Sequence, residues 1–433
     1  MVTTTEHRLS TSARIMVLVS MLALYFLAYF QRIGVPGTIF DEIQHDYQLS
    51  ASSVTGLGAV FICVYAWTQL LVGMAADRFG GGRTLLFGSL IMTLGAFLFP
   101  LTHAMPTLYA TRLLIGIGSS FIYLSIVKEV DVLFGSRHFA SIMGGVIMVG
   151  FLGSIAATLP LERAVNAWGW RASFTGAAVV TALAFLAAWF FLRHILKTPR
   201  KPVAFRPAGI WEVLRNPACR PFWVCCVINF PIMFVIQSTL GKKFLQDVAG
   251  LSSSTAATFM LWMAIVCGIA ALSGGWALRL TGQRRKPVMV AATAMIFVAV
   301  IMLLTGVLFK APGWFFLVAY LLLALVMVAS SINLAMVKEL NPPEVIGVAA
   351  AVQNGMAYFG ASLLGYFSGV ILGLFRAQAH AGPHGIIYPS VAYATLFAVL
   401  AGLALLSLLV AIFRVPETSR RVITMEEIEH DIR

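Results

Sequence analysis

Acidic residues are scarce in this 433-residue chain, with 17 Asp and Glu against 30 Lys and Arg, and charged residues of both signs make up only 11%. All seventeen acids fall in loops, tails or helix ends, and none of the eight His falls in the middle of an apolar run. The five cysteines, Cys63, Cys219, Cys225, Cys226 and Cys267, show neither metal-ligand spacing nor a disulfide framework. They read as small apolar side chains. There is no glycine-rich phosphate loop, metal cluster or nucleophile with its base. An enzyme, an ATP-driven pump and a bound cofactor are therefore not expected.

What the chain has instead is apolar length. Hydrophobic residues make up 60%, whereas a soluble domain is nearer half apolar with a quarter of its residues charged. The runs recur near the ~20 residues that cross a ~30 Å hydrocarbon layer as a helix. They are too long and unbroken for barrel strands, which alternate over about ten residues. The expected fold is an all-α membrane protein of twelve spans, at 14–40, 52–75, 84–101, 107–127, 139–159 and 171–192, then 220–240, 253–278, 288–308, 314–337, 347–372 and 390–413. A proline-rich, basic stretch divides the two sets. The domain reading is a first six-helix bundle over 1–192, a cytoplasmic linker over 193–219 with a short surface helix near 210–214, and a second bundle with a short tail over 220–433.

A net charge of +13 would suit nucleic acid in a soluble protein, but its distribution argues otherwise. With both termini cytoplasmic, that side collects 22 of the 30 Lys and Arg, the other side six, and Arg32 and Arg112 lie within spans. Lys and Arg are retained on the cytoplasmic side during insertion. The asymmetry predicts an integral protein of a bacterial cytoplasmic membrane with both termini inside, its basic face meeting anionic lipid and not nucleic acid. The N-terminal stretch lacks the short apolar region and small-residue cleavage site of a signal peptide, so it is expected to be retained.

The two sets of spans repeat each other. Gly73, Asp77, Gly80 and Arg83 recur 202 residues later as Gly275, Arg279, Gly282 and Arg285; Lys128-Glu129, Gly145 and Gly150 recur 210 later as Lys338-Glu339, Gly355 and Gly360. Duplicated halves place a substrate site at their interface near the bilayer midplane, and rocking of the halves alternates access to it. Gly73…Asp77-Arg78…Gly80…Arg83 between the second and third spans resembles the signature loop of the major facilitator superfamily. Arg112-Leu-Leu-Ile-Gly116-Ile-Gly118 resembles that family's second signature, and Gly169-Trp170-Arg171 and Pro416-Glu417-Thr418 are weaker echoes. The resemblance covers the whole chain and implies a secondary carrier without naming its solute.

In such carriers Asp77 meets the N-terminus of the eleventh helix, whose dipole favours a carboxylate, and Arg78 and Arg83 are placed to pair with Glu129 or Asp131. These five are the expected gating residues, with topology-setting loop charges as the alternative. Inside the bilayer a charge marks function by default. Arg32, after Tyr25, Tyr29 and Gln31, can take a carboxylate through two parallel hydrogen bonds with tyrosines beside it; the alternative is snorkelling to headgroups. Tyr29-Phe-Gln-Arg32 resembles a Tyr-x-x-Arg of organic-anion and bacterial nutrient carriers of the superfamily. The seventh span carries no second arginine, which argues against a dianionic phosphate. Arg112 is either a coupling residue or an interhelix hydrogen-bonder.

Tyr65, Gln69, Tyr123, Gln237, Asn333, Asn354 and Tyr358 complete the expected substrate site, each individually as able to serve as interhelix glue. Gln353 and Asn354, about 100° apart on a helix, are expected not to face the same way. The fifth span has Gly150-Phe151 where the family's antiporter signature has Gly-Pro, which weakens an efflux reading. The expected function is uptake of a small organic anion or zwitterion, a monocarboxylate or amino acid, by a monomer, with a proton or sodium ion as co-transported partner. Proton-coupled multidrug efflux and a transporter-like solute sensor are the alternatives.

Overall fold

The structure, a computed structural model, describes residues 10–193, 208–342, 345–382 and 385–418. Among these, eleven helical stretches are long and apolar enough to cross a membrane. One of them, Ile142–Leu192, has 51 residues. At ~1.5 Å per residue that is enough for two crossings, and the chain reverses within it at Ala157 and Thr158. The twelve expected spans are therefore present.

The first six spans comprise α1 (Thr11–Gly34), α3 (Ala51–Phe79), α4 (Gly81–Leu98), α5 (Met105–Ala156, which holds two spans) and α6 (Leu159–Leu192), with a short α2 (Phe40–Asp46) after α1. Gly135, at φ 71°, breaks α5 between its spans. Gly169, at φ 78°, breaks α6 just before Trp170 and Arg171. Both sit in the left-handed region that a side chain would disfavour.

The linker region is described only at its ends; α7 (Ala208–Arg215) is the short helix expected there. The last six spans comprise α8 (Arg220–Val235) continued by α9 (Gly241–Asp247), α10 (Ser253–Leu272) with α11 (Gly274–Leu280), α12 (Arg285–Leu308), α13 (Gly313–Ala324) with α14 (Ser330–Leu340), α15 (Ile346–Leu374) and α16 (Ser390–Phe413). A small hairpin, β1 (His380–Gly382) with β2 (Gly385–Ile387), precedes α16.

Two spans depart from the sequence reading. The first was expected to run to residue 40, but α1 stops at Gly34. Pro36 lacks an N–H and turns its predecessor away from helical geometry, so the chain turns before α2. The seventh was expected to end at 240. Instead a π-helical turn, Ile236–Leu240, carries it on into α9.

Polarity is arranged for lipid. Large apolar side chains such as Phe87, Leu183, Trp189, Ile269 and Leu409 lie exposed on the outside of the bundle, where a bilayer and not water is the solvent. Glycines set the close approaches inside. A Cβ on Gly116 would stand 2.7 Å from the Phe61 carbonyl of α3, and one on Gly118 would strike the Met92 backbone of α4. The resemblance to a second signature motif thus has a packing cause: these glycines let three helices meet backbone to backbone.

Between the first and last six spans, α3 lies along α15, α1 meets the π-helical turn, and α5 meets α10. The end of the bundle at which α1 finishes is called the distal end below, and the opposite end proximal.

Candidate functional site

Arg32 lies in the last turn of α1, 5% exposed. Its Nη1 donates to the Tyr358 hydroxyl of α15 at 3.0 Å. Its guanidinium carbon sits 4.5 Å from the ring centres of Tyr29 and Tyr65 and 5.2 Å from that of Tyr358. Tyr65 and Tyr358 pack edge to face at 5.0 Å, and Phe230 of α8 meets Tyr358 at 5.2 Å. A Cβ on Gly150 would stand 2.9 Å from the Tyr25 ring and 3.1 Å from the Tyr29 ring, so this glycine leaves both rings their room.

Aromatic faces attract a cation, yet they cannot saturate a guanidinium's donors. Arg32 Nε is buried with no hydrogen-bond partner among the described residues, and no carboxylate there forms an ion pair with it. A buried charged donor left without an acceptor is costly. The arrangement is suited to an acceptor that arrives from outside the protein.

Beyond Tyr358 opens a cavity of about 180 Å³. Its polar lining is Asn229 from α8, Ser330 and Asn333 from α14, and Gln353, Asn354 and Tyr358 from α15. Three expected site residues, Asn333, Asn354 and Tyr358, are thus brought together there. Gln353 and Asn354 both border the cavity, although neighbouring residues on α15 point about 100° apart. Asn333 Oδ1 and Gln353 Oε1 are buried with no partner among the described residues. Asn229 is occupied, donating to Thr293 Oγ1 at 2.9 Å and accepting from Ser407 Oγ at 2.7 Å.

The remaining expected residues take other places. Gln69 Nε2 donates to the Ser120 carbonyl at 3.1 Å, tying α3 to α5. Tyr123 stacks on Tyr25 at 5.7 Å, behind the wall around Arg32. Gln237 lies in the π-helical turn with Nε2 unpartnered among the described residues. Gln31, beside Arg32, is buried with neither amide atom partnered among the described residues, and the sequence reading had passed it over. Arg112 is fully buried but satisfied. It donates to the carbonyls of Gln31 and Val35, each at 3.1 Å, and of Leu57 at 3.5 Å, while lying 4.6 Å from the Phe61 ring centre. It therefore caps the carbonyls that the break at Pro36 leaves free.

At the proximal end, Glu129 accepts from the Gly82 N–H at the start of α4 at 2.6 Å, a carboxylate at a helix N-terminus. The repeat-related pair in the last six spans, Arg285 and Glu339, is an ion pair at 2.9 Å. Arg83 opens the first turn of α4 on its exposed side. Arg78 is exposed over the Phe79 ring, and Asp131 is exposed. The side chain of Asp77 lies outside the described residues.

The distal end holds charges that the sequence reading treated as loop residues. Lys243 Nζ lies 2.8 Å from Asp41 Oδ1 and 2.7 Å from Asp247 Oδ1. Further ties link the first and last six spans at this end. Lys242 Nζ donates to the Thr38 carbonyl at 2.7 Å, and Gln44 Nε2 to the Tyr388 hydroxyl at 3.1 Å.

A membrane bundle with a repeat and a buried site between its two sets of spans has the form of a carrier, and the family model described as "Major Facilitator Superfamily" matches residues 21–366. The chain belongs to the Major Facilitator Superfamily. This superfamily member is an integral membrane protein. It is 26% identical over 203 residues, 44% of its length and 45% of the relative's, to the "Agnestins efflux protein AgnL12" of Paecilomyces divaricatus. It is 29% identical over 197 residues, 43% of each, to the "Probable sulfoacetate transporter SauU" of Cupriavidus necator. The match spans less than half the length of either relative. Among solved structures, the fold is similar to that of a point mutant of the nucleoside transporter NupG, with a TM-score of 0.73 at 13% identity over 92% of this chain and 99% of that one.

Proposed function

We propose that this transporter is a secondary carrier taking up a small organic anion or zwitterion, a monocarboxylate or amino acid, with Arg32 as the anchor. The observation that carries the reading is the buried Arg32 guanidinium, walled by Tyr29, Tyr65 and Tyr358 and left with an unpartnered Nε among the described residues. A carboxylate supplies the missing acceptor through charge-assisted hydrogen bonds. The unpartnered oxygens of Asn333 and Gln353 favour a ligand that also carries donors, hydroxyl or amino groups, on its far side. A single cation suits one negative charge. The relative named a probable sulfoacetate transporter is in keeping with an anionic solute.

On this reading the two halves, 1–192 and 220–433 joined by 193–219, rock about the site as a monomer in a bacterial cytoplasmic membrane. The termini are cytoplasmic and the distal end faces outside. Inward movement of an anion against an inside-negative potential costs ~2.3 kcal/mol per charge per 100 mV, which a co-transported proton or sodium ion offsets.

Thermal-shift screening of the purified protein against carboxylates and amino acids, followed by uptake into proteoliposomes, tests the proposal. A stabilising carboxylate is expected, and Arg32→Ala should lose both the shift and the uptake while keeping the ligand-free melting temperature. Undiminished uptake by Arg32→Ala would remove the anchor role. The relative named an efflux protein keeps export as the competing reading; drug sensitivity that changes on gene deletion, with no carboxylate shifting the melt, would favour it.

A further inference from the structure

The Asp41, Lys243 and Asp247 cluster is built from both sides of the bundle. Lys243 and Asp247 stand one turn apart on α9, whereas Asp41 comes from α2. All three side chains are buried, 2% exposed for Lys243, 1% for Asp247 and 9% for Asp41. Lys243 Nζ also donates to the Ile386 carbonyl at 2.6 Å. Asp247 Oδ2 accepts from the Tyr388 N–H at 3.0 Å and from the Tyr393 hydroxyl at 2.8 Å. The Tyr388 ring centre lies 6.0 Å from Lys243 Nζ, and the Arg376 charge is near enough to act on Tyr388. The chain neighbours Glu42 and Lys242 lie about 100° round their helices, and Lys242 is directed to Thr38.

One ammonium between two carboxylates leaves an excess negative charge away from water. Burial and a like charge both disfavour ionisation of the second carboxylate. We propose that this cluster is a proton-binding site of the transport cycle, taking up one proton as the distal end closes and releasing it as that end opens. Opening separates the elements: Lys243 leaves with Asp247 as a neutral pair, and Asp41 passes into water, away from the like charge and the burial that favoured the proton. The closed state thus holds one proton more than the open state, shared by the pair of carboxylates and not owned by either. A sodium ion does not fit, since the Lys243 ammonium already occupies the space between the oxygens. Closure over a monoanion at Arg32 then adds no net charge to the carrier.

This inference rests on the rocking of the two halves but not on the identity of the solute, so it is tested without one. Nitroxides on p-acetylphenylalanine at His103 and Ser254, exposed distal positions on opposite sides, report opening of the full chain in nanodiscs by double electron–electron resonance. The closed-to-open ratio is expected to rise as pH falls from 8 to 5, by up to tenfold per pH unit, the limit for one proton. Asp247→Asn and Asp41→Asn each leave a neutral pair and should flatten that response. Two distances whose ratio ignores pH, or a response unchanged in both Asn variants, would overturn the proton site while leaving alternating access in place. A single unmoving distance, in the native chain and in Lys243→Gln alike, would overturn both.

Discussion

Arg32 and Arg112 are two buried arginines of one bundle with opposite accounts. Arg112 reaches three backbone carbonyls, so its charge is spent on holding the end of α1 against α3 and α5. Arg32 has one tyrosine hydroxyl and aromatic faces. Substitution should therefore separate them. Arg112→Gln leaves buried carbonyls unpaired, each at about 1–3 kcal/mol, and is expected to lower the melting temperature with or without solute. Arg32→Lys keeps a charge but loses the planar fork; at least tenfold weaker carboxylate binding at an unchanged ligand-free melting temperature is expected in a thermal-shift titration. Both arginines stood out in the sequence as intramembrane charges, but which was occupied was legible only from what surrounds them.

At the scale of elements, glycines and one exposed carboxylate decide how helices meet. Gly118 faces the backbone of Met92, and a methyl there forces α4 and α5 apart. Gly118→Ala is expected to destabilise by about 1–3 kcal/mol through overpacking, read as a lower melting temperature, whereas Gly275→Ala, whose added Cβ meets nothing within 4 Å, should be close to neutral. At the distal end, Asp46 of α2 accepts from Trp170 Nε1 at 2.8 Å and from Arg171, just beyond the break at Gly169. Burial raises the Asp46 pKa, but the hydrogen bonds from Trp170 and Arg171 outweigh it and hold the carboxyl below its ordinary value.

A carboxyl whose folded pKa is depressed stabilises the fold fully above its unfolded value and loses that contribution as pH falls through the folded value. Asp46→Asn should therefore cost about 1 kcal/mol or less at pH 7, the scale of a partly exposed pair. The difference from the native chain should shrink in melts as pH falls below the ordinary carboxylate range near ~3.9. The Gly169-Trp170-Arg171 echo was visible in sequence, while its partner Asp46, 124 residues from Trp170, was not.

At the scale of the whole molecule, contacts between the two sets of spans among the described residues extend along α3 and α15 to the distal end. Ser362 Oγ of α15 donates to the Ala59 carbonyl of α3 at 2.8 Å, and nearer that end Gly369 packs on Ser52 and Thr55. Cysteines at Thr55 and Gly369 would be within disulfide reach. The oxidised Thr55→Cys/Gly369→Cys protein is expected to hold the distal end shut. It should keep the carboxylate thermal shift but lose counterflow in proteoliposomes, with a reducing agent restoring transport; counterflow at the native rate in the oxidised form would show that this contact does not open.

The sequence alone determined the solvent, the number of spans, the repeat and the superfamily. Each of these rests on local composition or fixed spacing, and lipid selects apolar runs of one length wherever they lie in the chain. It also placed Arg32, because a charge inside an apolar run is conspicuous. Only the tertiary structure decided that Gln69 is an interhelix tie, that Gln353 joins Asn333 and Asn354 around one cavity, and that Arg112 caps a broken helix. It alone brought Asp41 to Lys243 and Asp247. Those residues sit at helix ends where charge is ordinary, and ends distant in sequence become neighbours only when α2 and α9 pack. Burial, which turns an ordinary loop charge into a costly one, is a property of that packing.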